Sequence, residues 1–120
     1  MRTKHKIKLS FIEEKILSNL SALLNERIKE TNALILFGSR ARGSSNENSD
    51  LDIAVILNTL KIKKEHWQMI WDAKWKVLES LKAEEFPLSL IPTTTKNFRM
   101  GLSGLEKELK KEGIVIWKRN

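Results

Sequence analysis

"GSRARGSSNENSDLDIAV", Gly38 to Val55, sets a glycine, a serine and two arginines just ahead of two aspartates spaced i, i+2. Gly38 has no side chain, so a phosphate can approach its backbone closely. If "SRAR" turns as a short helix, its N–H groups and the Ser39 hydroxyl point at that phosphate. Arg40 and Arg42 can add charge-assisted bonds, although two arginines so close together need not both face one site. The run "DLDIAVIL" alternates as a strand, with Asp50, Asp52 and Ala54 on one face and Leu51, Ile53 and Val55 on the other. Carboxylates sharing a face converge on one or two divalent cations. Magnesium, hard and oxygen-ligated, suits them. Such ions stabilise charge on a transferring phosphorus and position an incoming hydroxyl. The stretch therefore reads as a site for a metal–nucleoside triphosphate.

Outward from this stretch, the coarse order is helix, strand, strand, helix, strand, helix, strand. Ser10 and Glu13 form an S-x-x-E capping box that opens a helix to about Glu30. Ile12, Ile16, Leu20, Leu23, Leu24 and Ile28 lie at helical spacing on its apolar face. "NALILFG" is a short apolar run, bounded by Asn32 and Gly38, of the length of a buried strand. "KIKKEHWQMIWDAKWKVLESLKAEE" predicts a second long helix with Trp67, Ile70, Trp71, Leu78 and Leu81 as its core stripe, flanked by Trp75. "FPLSLIP" is a third strand, with Pro87 at its start, where a missing donor is tolerated. "TTTKNF" is a turn into a short helix, capped from Thr93 to Thr95. Ser103 and Glu106 form a second capping box, and that helix stops at Gly113. "IVIWK" is a last short strand, expected at a sheet edge, where Trp117 could cover the edge or pair with a second copy in a homo-oligomer.

The chain has 120 residues, which predicts one domain, 1–120, with a single core. With 41% hydrophobic and 31% charged residues and only seven prolines and glycines, the composition is that of a globular protein. The absence of cysteine excludes disulfides and thiolate metal ligands. The basic, then apolar start is interrupted by Glu13, Glu14 and Lys15, unlike a signal sequence. No stretch approaches the roughly 20 apolar residues needed to span a bilayer, so no membrane role and a cytoplasmic location are expected. The net charge of +7 gathers at both ends and is compatible with a phosphate-rich partner. Solubility accounts for it equally well, so nucleic acid is not favoured. His5 and His66 belong to no motif, and His66 is expected on a helix surface.

The pattern G-S-x-A-R-G followed by S-D-x-D-x-x-V resembles the DNA polymerase beta-like nucleotidyltransferases, and specifically the small minimal nucleotidyltransferases of bacteria and archaea. The core match runs from Gly38 to Val55. The leading helix, the strand–helix–strand order and the closing "KKEGIVIW" are more weakly similar. The resemblance implies an α/β (α+β) fold: a small mixed sheet with helices packed on one side. It implies transfer of a nucleoside monophosphate, usually from ATP, to a hydroxyl, with release of pyrophosphate. Gly38 and Ser39 would bind the nucleotide's triphosphate, with Arg42 a weaker candidate, and Asp50 and Asp52 would bind Mg2+. Members of this family are often antitoxins paired with a small helical HEPN-type toxin, which they silence by adenylylation.

One departure matters. Active members commonly carry a third carboxylate on the next strand, where it binds metal and acts as base. Here that strand, "FPLSLIP", has Ser89 at about that place and no Asp or Glu. Serine is a poor base and a weak metal ligand. Glu84 and Glu85 are close in sequence but are expected at a helix end. The alternative to an enzyme is a catalytically degenerate nucleotide- or protein-binding module. The chain has no tyrosine, so any tyrosine acceptor belongs to another protein.

Overall fold

The computed structural model describes residues 2–3, 8–43 and 50–120. The polar stretch 44–49, His5 and most of the basic N-terminal segment lie outside the described residues. Five strands, β1 (Arg2–Thr3), β2 (Thr31–Phe37), β3 (Leu51–Leu57), β4 (Leu88–Thr94) and β5 (Ile114–Lys118), form one sheet in the order β1-β5-β2-β3-β4. The helices are α1 (Phe11–Arg27), α2 (Ser39–Arg42), α3 (Lys64–Ser80), α4 (Thr95–Met100) and α5 (Gly104–Glu112). The sheet is mixed. β2 runs antiparallel to β3 and β5, whereas β3 and β4 are parallel. A parallel neighbour requires a crossover, and α3 supplies it between β3 and β4.

Residues 33–37 of β2 and 53–57 of β3 are unbroken apolar runs because both of their faces are covered. Leu34, Leu36, Leu51, Ile53, Val55 and Leu57 join Ile16, Leu20 and Leu24 of α1 and Ile70, Ala73 and Val77 of α3 in the larger core. Ile35, Phe37, Ala54 and Ile56 face the other way, onto Leu109 of α5 with Phe98 and Leu105 packed around it. The mixed sheet is the fold expected, and its two long helices share one side. The short helices α4 and α5 cover the other side, which the expectation of helices on one side left open. Buried Glu106 fixes α5 there: it accepts from the Ser103 N–H of its own capping box and, at 3.1 Å, from the Thr93 hydroxyl of β4.

Both capping boxes form as expected, at Ser10–Glu13 and Ser103–Glu106. Thr94 caps α4 by accepting from the Asn97 N–H. Gly113 ends α5 with an ordinary backbone, and glycine is needed there for space. A Cβ would run into the Leu109 carbonyl and approach Ile35 at 2.7 Å.

Several expectations are corrected. β5 is not an outermost strand, because it lies between β2 and the two-residue β1. α1 ends at Arg27 rather than near Glu30. The Ile28 N–H bonds back to the Leu24 carbonyl, which also accepts the Thr31 hydroxyl. α3 is shorter than predicted at both ends, and its buried face carries His66, Ile70, Ala73, Val77 and Leu78. Trp67 and Trp71 are therefore exposed, at 50% and 55%, rather than core. His66 is buried rather than on the surface, and its Nδ1 accepts the Lys63 N–H at 2.9 Å. This is the bond that the N3 glutamates make in the two capping boxes. His66→Ala removes both the bond and the packing, and is expected to cost about 1–2 kcal/mol. Thermal melting would read that loss as roughly 4 °C per kcal/mol at this size.

Candidate nucleotide and metal site

Gly38 joins β2 to α2 with φ 79° and ψ −160°, a conformation open essentially to glycine alone. The chain turns there because the apolar run of β2 ends at Phe37, whose register partner is Asp52. The Asp52 carboxylate lies against the Gly38 backbone: a Cβ at position 38 would collide with its Oδ2. Ser39 begins α2 directly after this turn, and the Arg42 N–H closes α2 onto the Gly38 carbonyl at 3.2 Å. Asp50 stands exposed just ahead of β3. The structure therefore brings Gly38, Ser39, Arg42, Asp50 and Asp52 to one end of the sheet.

The two arginines of the motif part company. Arg40 turns away and pairs with buried Glu13 of α1, tying α2 to the core. Arg42 pairs with two glutamates of α5, at 3.1 Å from Glu112 and 3.5 Å from Glu108. Burial pushes the Asp52 carboxyl above its ordinary value, repulsion from Asp50 and Glu108 adds to the rise, and Arg42 opposes it. Negative charge thus exceeds positive around Asp52. Together with the two hard oxygen ligands, this fits a divalent cation whose remaining positions are filled by water and phosphate oxygens. Among the described residues no group of three or more Asp, Glu, His or Cys side chains is placed to hold a metal.

Ser89 is the register partner of Asp52 across the parallel β3–β4 pair, so the two side chains share a face. Glu84 and Glu85 are exposed in the turn between α3 and β4 rather than at a helix end. The residues that sequence reasoning missed are Glu108 and Glu112. They stand i, i+4 on α5, and nothing local in "GLEKELKKE" tells that this helix lies beside Arg42.

A carboxyl held above its ordinary value binds its proton more readily in the folded than in the unfolded chain. Between the ordinary and the raised value, stability then falls as pH rises. Metal-free Asp52→Asn is expected to melt above the wild type at pH 7. The advantage should vanish once the pH falls below the ordinary value of 3.8, where Asp52 is protonated in both states. Melting curves at the two pH values check this, and a wild type as stable as the variant at pH 7 would contradict it.

Residues 18–120 match the family model described as "Polymerase beta, Nucleotidyltransferase". The chain belongs to that nucleotidyltransferase family. No sequence among curated proteins matches it. Several solved structures share its fold. One is a toxin–antitoxin with AMP-PNP, with TM-score 0.60 and 22% identity over 87% of this chain and 74% of that one. A second is the tri-AMPylated Shewanella oneidensis HEPN toxin in complex with MNT antitoxin, with TM-score 0.55 and 18% identity over 88% and 72%. A third, from Sulfolobus solfataricus, is described as a nucleotidyltransferase and matches with TM-score 0.51 and 18% identity over 93% and 91%. Among the described residues no helix is long and apolar enough to cross a membrane.

Proposed function

We propose that this chain transfers AMP from ATP to a hydroxyl of a small helical HEPN-type partner, as the antitoxin of a toxin–antitoxin pair. The observation that carries the proposal is the contact between the Asp52 carboxylate and the glycine turn at Gly38, with Asp50, Ser39 and Arg42 beside it. A carboxylate pair and a phosphate-binding turn are useful together only if one ligand brings both a divalent cation and phosphates. In this reading Gly38 and the Ser39 hydroxyl hold triphosphate oxygens. Arg42 exchanges part of its pairing with Glu108 and Glu112 for a phosphate. Asp50 and Asp52 would hold the magnesium, which when bound supplies charge neutralisation at the transferring phosphorus.

The acceptor oxygen forms a bond to the α-phosphorus as the bond to the bridging oxygen breaks. Pyrophosphate leaves, and the hydroxyl proton passes to a base. Ser89 cannot be that base at neutral pH. Transfer to a simple alcohol is therefore slow, and a partner that brings its own base to the site speeds it. The register of Ser89 with Asp52 also supports a second reading, a binding module that holds nucleotide and partner without turnover. Pyrophosphate release from Mg-ATP, measured with and without the product of the neighbouring gene, separates the two. Release that requires both the partner and Asp52 supports the transferase. Tight partner binding with no release favours the module.

A further inference from the structure

β4 is the last strand of the sheet order, so its outer edge is unpaired among the described residues. The Leu51 N–H donates to the Pro87 carbonyl at 2.8 Å, which fixes the alternation of this strand. Ser89, Ile91 and Thr93 turn their backbone groups toward β3, whereas Leu88, Leu90 and Pro92 turn theirs outward. Pro92 has no N–H to offer and blunts the far end of the edge. That leaves Leu88 and Leu90, each with one donor and one acceptor, as a short open template.

The same stretch forms one wall of a groove of about 450 Å³, whose other wall is Trp67, Ile70, Trp71 and Lys74 of α3. Trp67 and Trp71 are half exposed here. The Lys74 ammonium lies 5.5 Å from the Trp71 ring centre and 5.2 Å from that of Trp75. At 100° per residue, Lys64, Trp67, Trp71 and Lys74 fall on one stripe of α3, while Glu65, Asp72 and Glu79 fall on another. The groove is thus aromatic with the Lys74 ammonium in its wall, Lys64 lies further along the same stripe of α3, and Lys74 has no ion pair among the described residues.

We propose that this edge and groove dock an extended, acidic-flanked segment of a partner protein as an added strand beside β4. Outward backbone groups call for another backbone, not a helix or a nucleotide base. An added strand would place alternate side chains against Trp67 and Trp71, and its acidic flanks against Lys64 and Lys74. The side chains between them would point to the face shared by Ser89 and Asp52. At about 4.8 Å per strand, that segment lies roughly 10 Å from the β3 backbone, within reach of a long hydroxyl-bearing side chain. This last step rests on the transferase reading, whereas the docking does not. The groove thereby identifies the acceptor as an extended protein segment.

The test begins with random linear peptides displayed on phage and selected on the full-length wild type. The enriched peptides are then titrated against wild type, Leu90→Pro and Trp71→Ala. Leu90→Pro removes an outward donor and leaves the β3 ladder intact, and Trp71→Ala changes an exposed residue if the proline variant does not fold. The expected result is peptides with alternating apolar residues and acidic flanks. They should bind roughly tenfold or more weakly to both variants, and should slow amide exchange at Leu88 and Leu90. Failure to enrich any peptide, or binding that both variants retain in full, overturns the proposal. A dimer in sedimentation that Trp71→Ala dissolves also overturns it, since the occupant is then a second copy. Tighter, Trp71-dependent binding of oligouridylate does the same in favour of RNA. A Mg-ATP titration of each variant keeps the two readings apart. Peptide binding without ATP binding leaves the docking surface standing and removes the transferase; the converse removes only the docking surface.

Discussion

Asp52→Asn is expected to abolish magnesium-dependent ATP binding and to lower any adenylyl transfer by about a hundredfold or more. The amide keeps the shape of the side chain but removes its charge. The carboxylate lies against the Gly38 turn; in the proposed reading it holds a cation there, whose charge neutralisation would contribute several kcal/mol, and each 1.4 kcal/mol is a factor of ten. The same substitution relieves the burial of charge and the repulsion that raise the Asp52 pKa, so the metal-free variant is expected to fold at least as well as the wild type. Loss of binding together with gain of stability is the signature of a functional charge rather than a structural one. Calorimetric titration with ATP, with and without magnesium, reads the first half, and the melting curve reads the second. A variant that binds Mg-ATP like the wild type would remove Asp52 from the site.

Gly38→Ala carries the second large effect, and here stability and function fall together. The backbone conformation at φ 79° and ψ −160° costs a side-chain-bearing residue about 1–3 kcal/mol. In addition, the new Cβ collides with Asp52 Oδ2, so either the turn or the carboxylate must shift. A lowered melting temperature with nucleotide binding lost is the expected result. Gly43→Ala is the control. It too has a positive φ, 76°, but a Cβ there meets nothing within 4 Å. It should cost stability and spare binding. Equal binding by the two variants would show that the contact between Gly38 and Asp52 is incidental.

The site could be read along the chain because each of its parts is chemically local. A glycine that must turn, a serine behind it and two carboxylates on alternate positions keep their meaning without knowledge of the rest of the fold. The capping boxes at Ser10 and Ser103 were legible for the same reason. Errors arose where the deciding neighbour was distant or its signal was muted. The end of α3 is not legible because Lys82, not glycine, occupies the left-handed position at φ 54°. The Ala83 N–H bonds back to Leu78 and the Lys82 N–H to Glu79, the pattern that closes a helix. The phase of α3 is obscured because tryptophans outweigh small residues in any apolar stripe. Its true inner face includes His66, Ala73 and Val77. β5 reads as an edge strand by its length, but only the paired register with β2 and β1 reveals its place. The hold of Glu108 and Glu112 on Arg42 spans about seventy residues of chain and leaves no local trace.

The position of Ser89 bears on how the site would work. It is the register partner of Asp52; if the third carboxylate that the family resemblance implies belongs at this place, the proposed transferase would depend on its partner for a base as well as a hydroxyl. The dependence can be tested by Ser89→Asp, which supplies a base from within. Faster pyrophosphate release with a simple alcohol as acceptor is expected, and an unchanged rate would place the base elsewhere.

The most direct measurement is the intact mass of the proposed HEPN-type partner, sought as the product of the neighbouring gene, after incubation with Mg-ATP and either wild type or Asp52→Asn. A gain of one or more adenylyl groups on the partner is expected with the wild type and none with the variant. A partner that binds wild type tightly yet keeps its mass unchanged would contradict the proposed transfer.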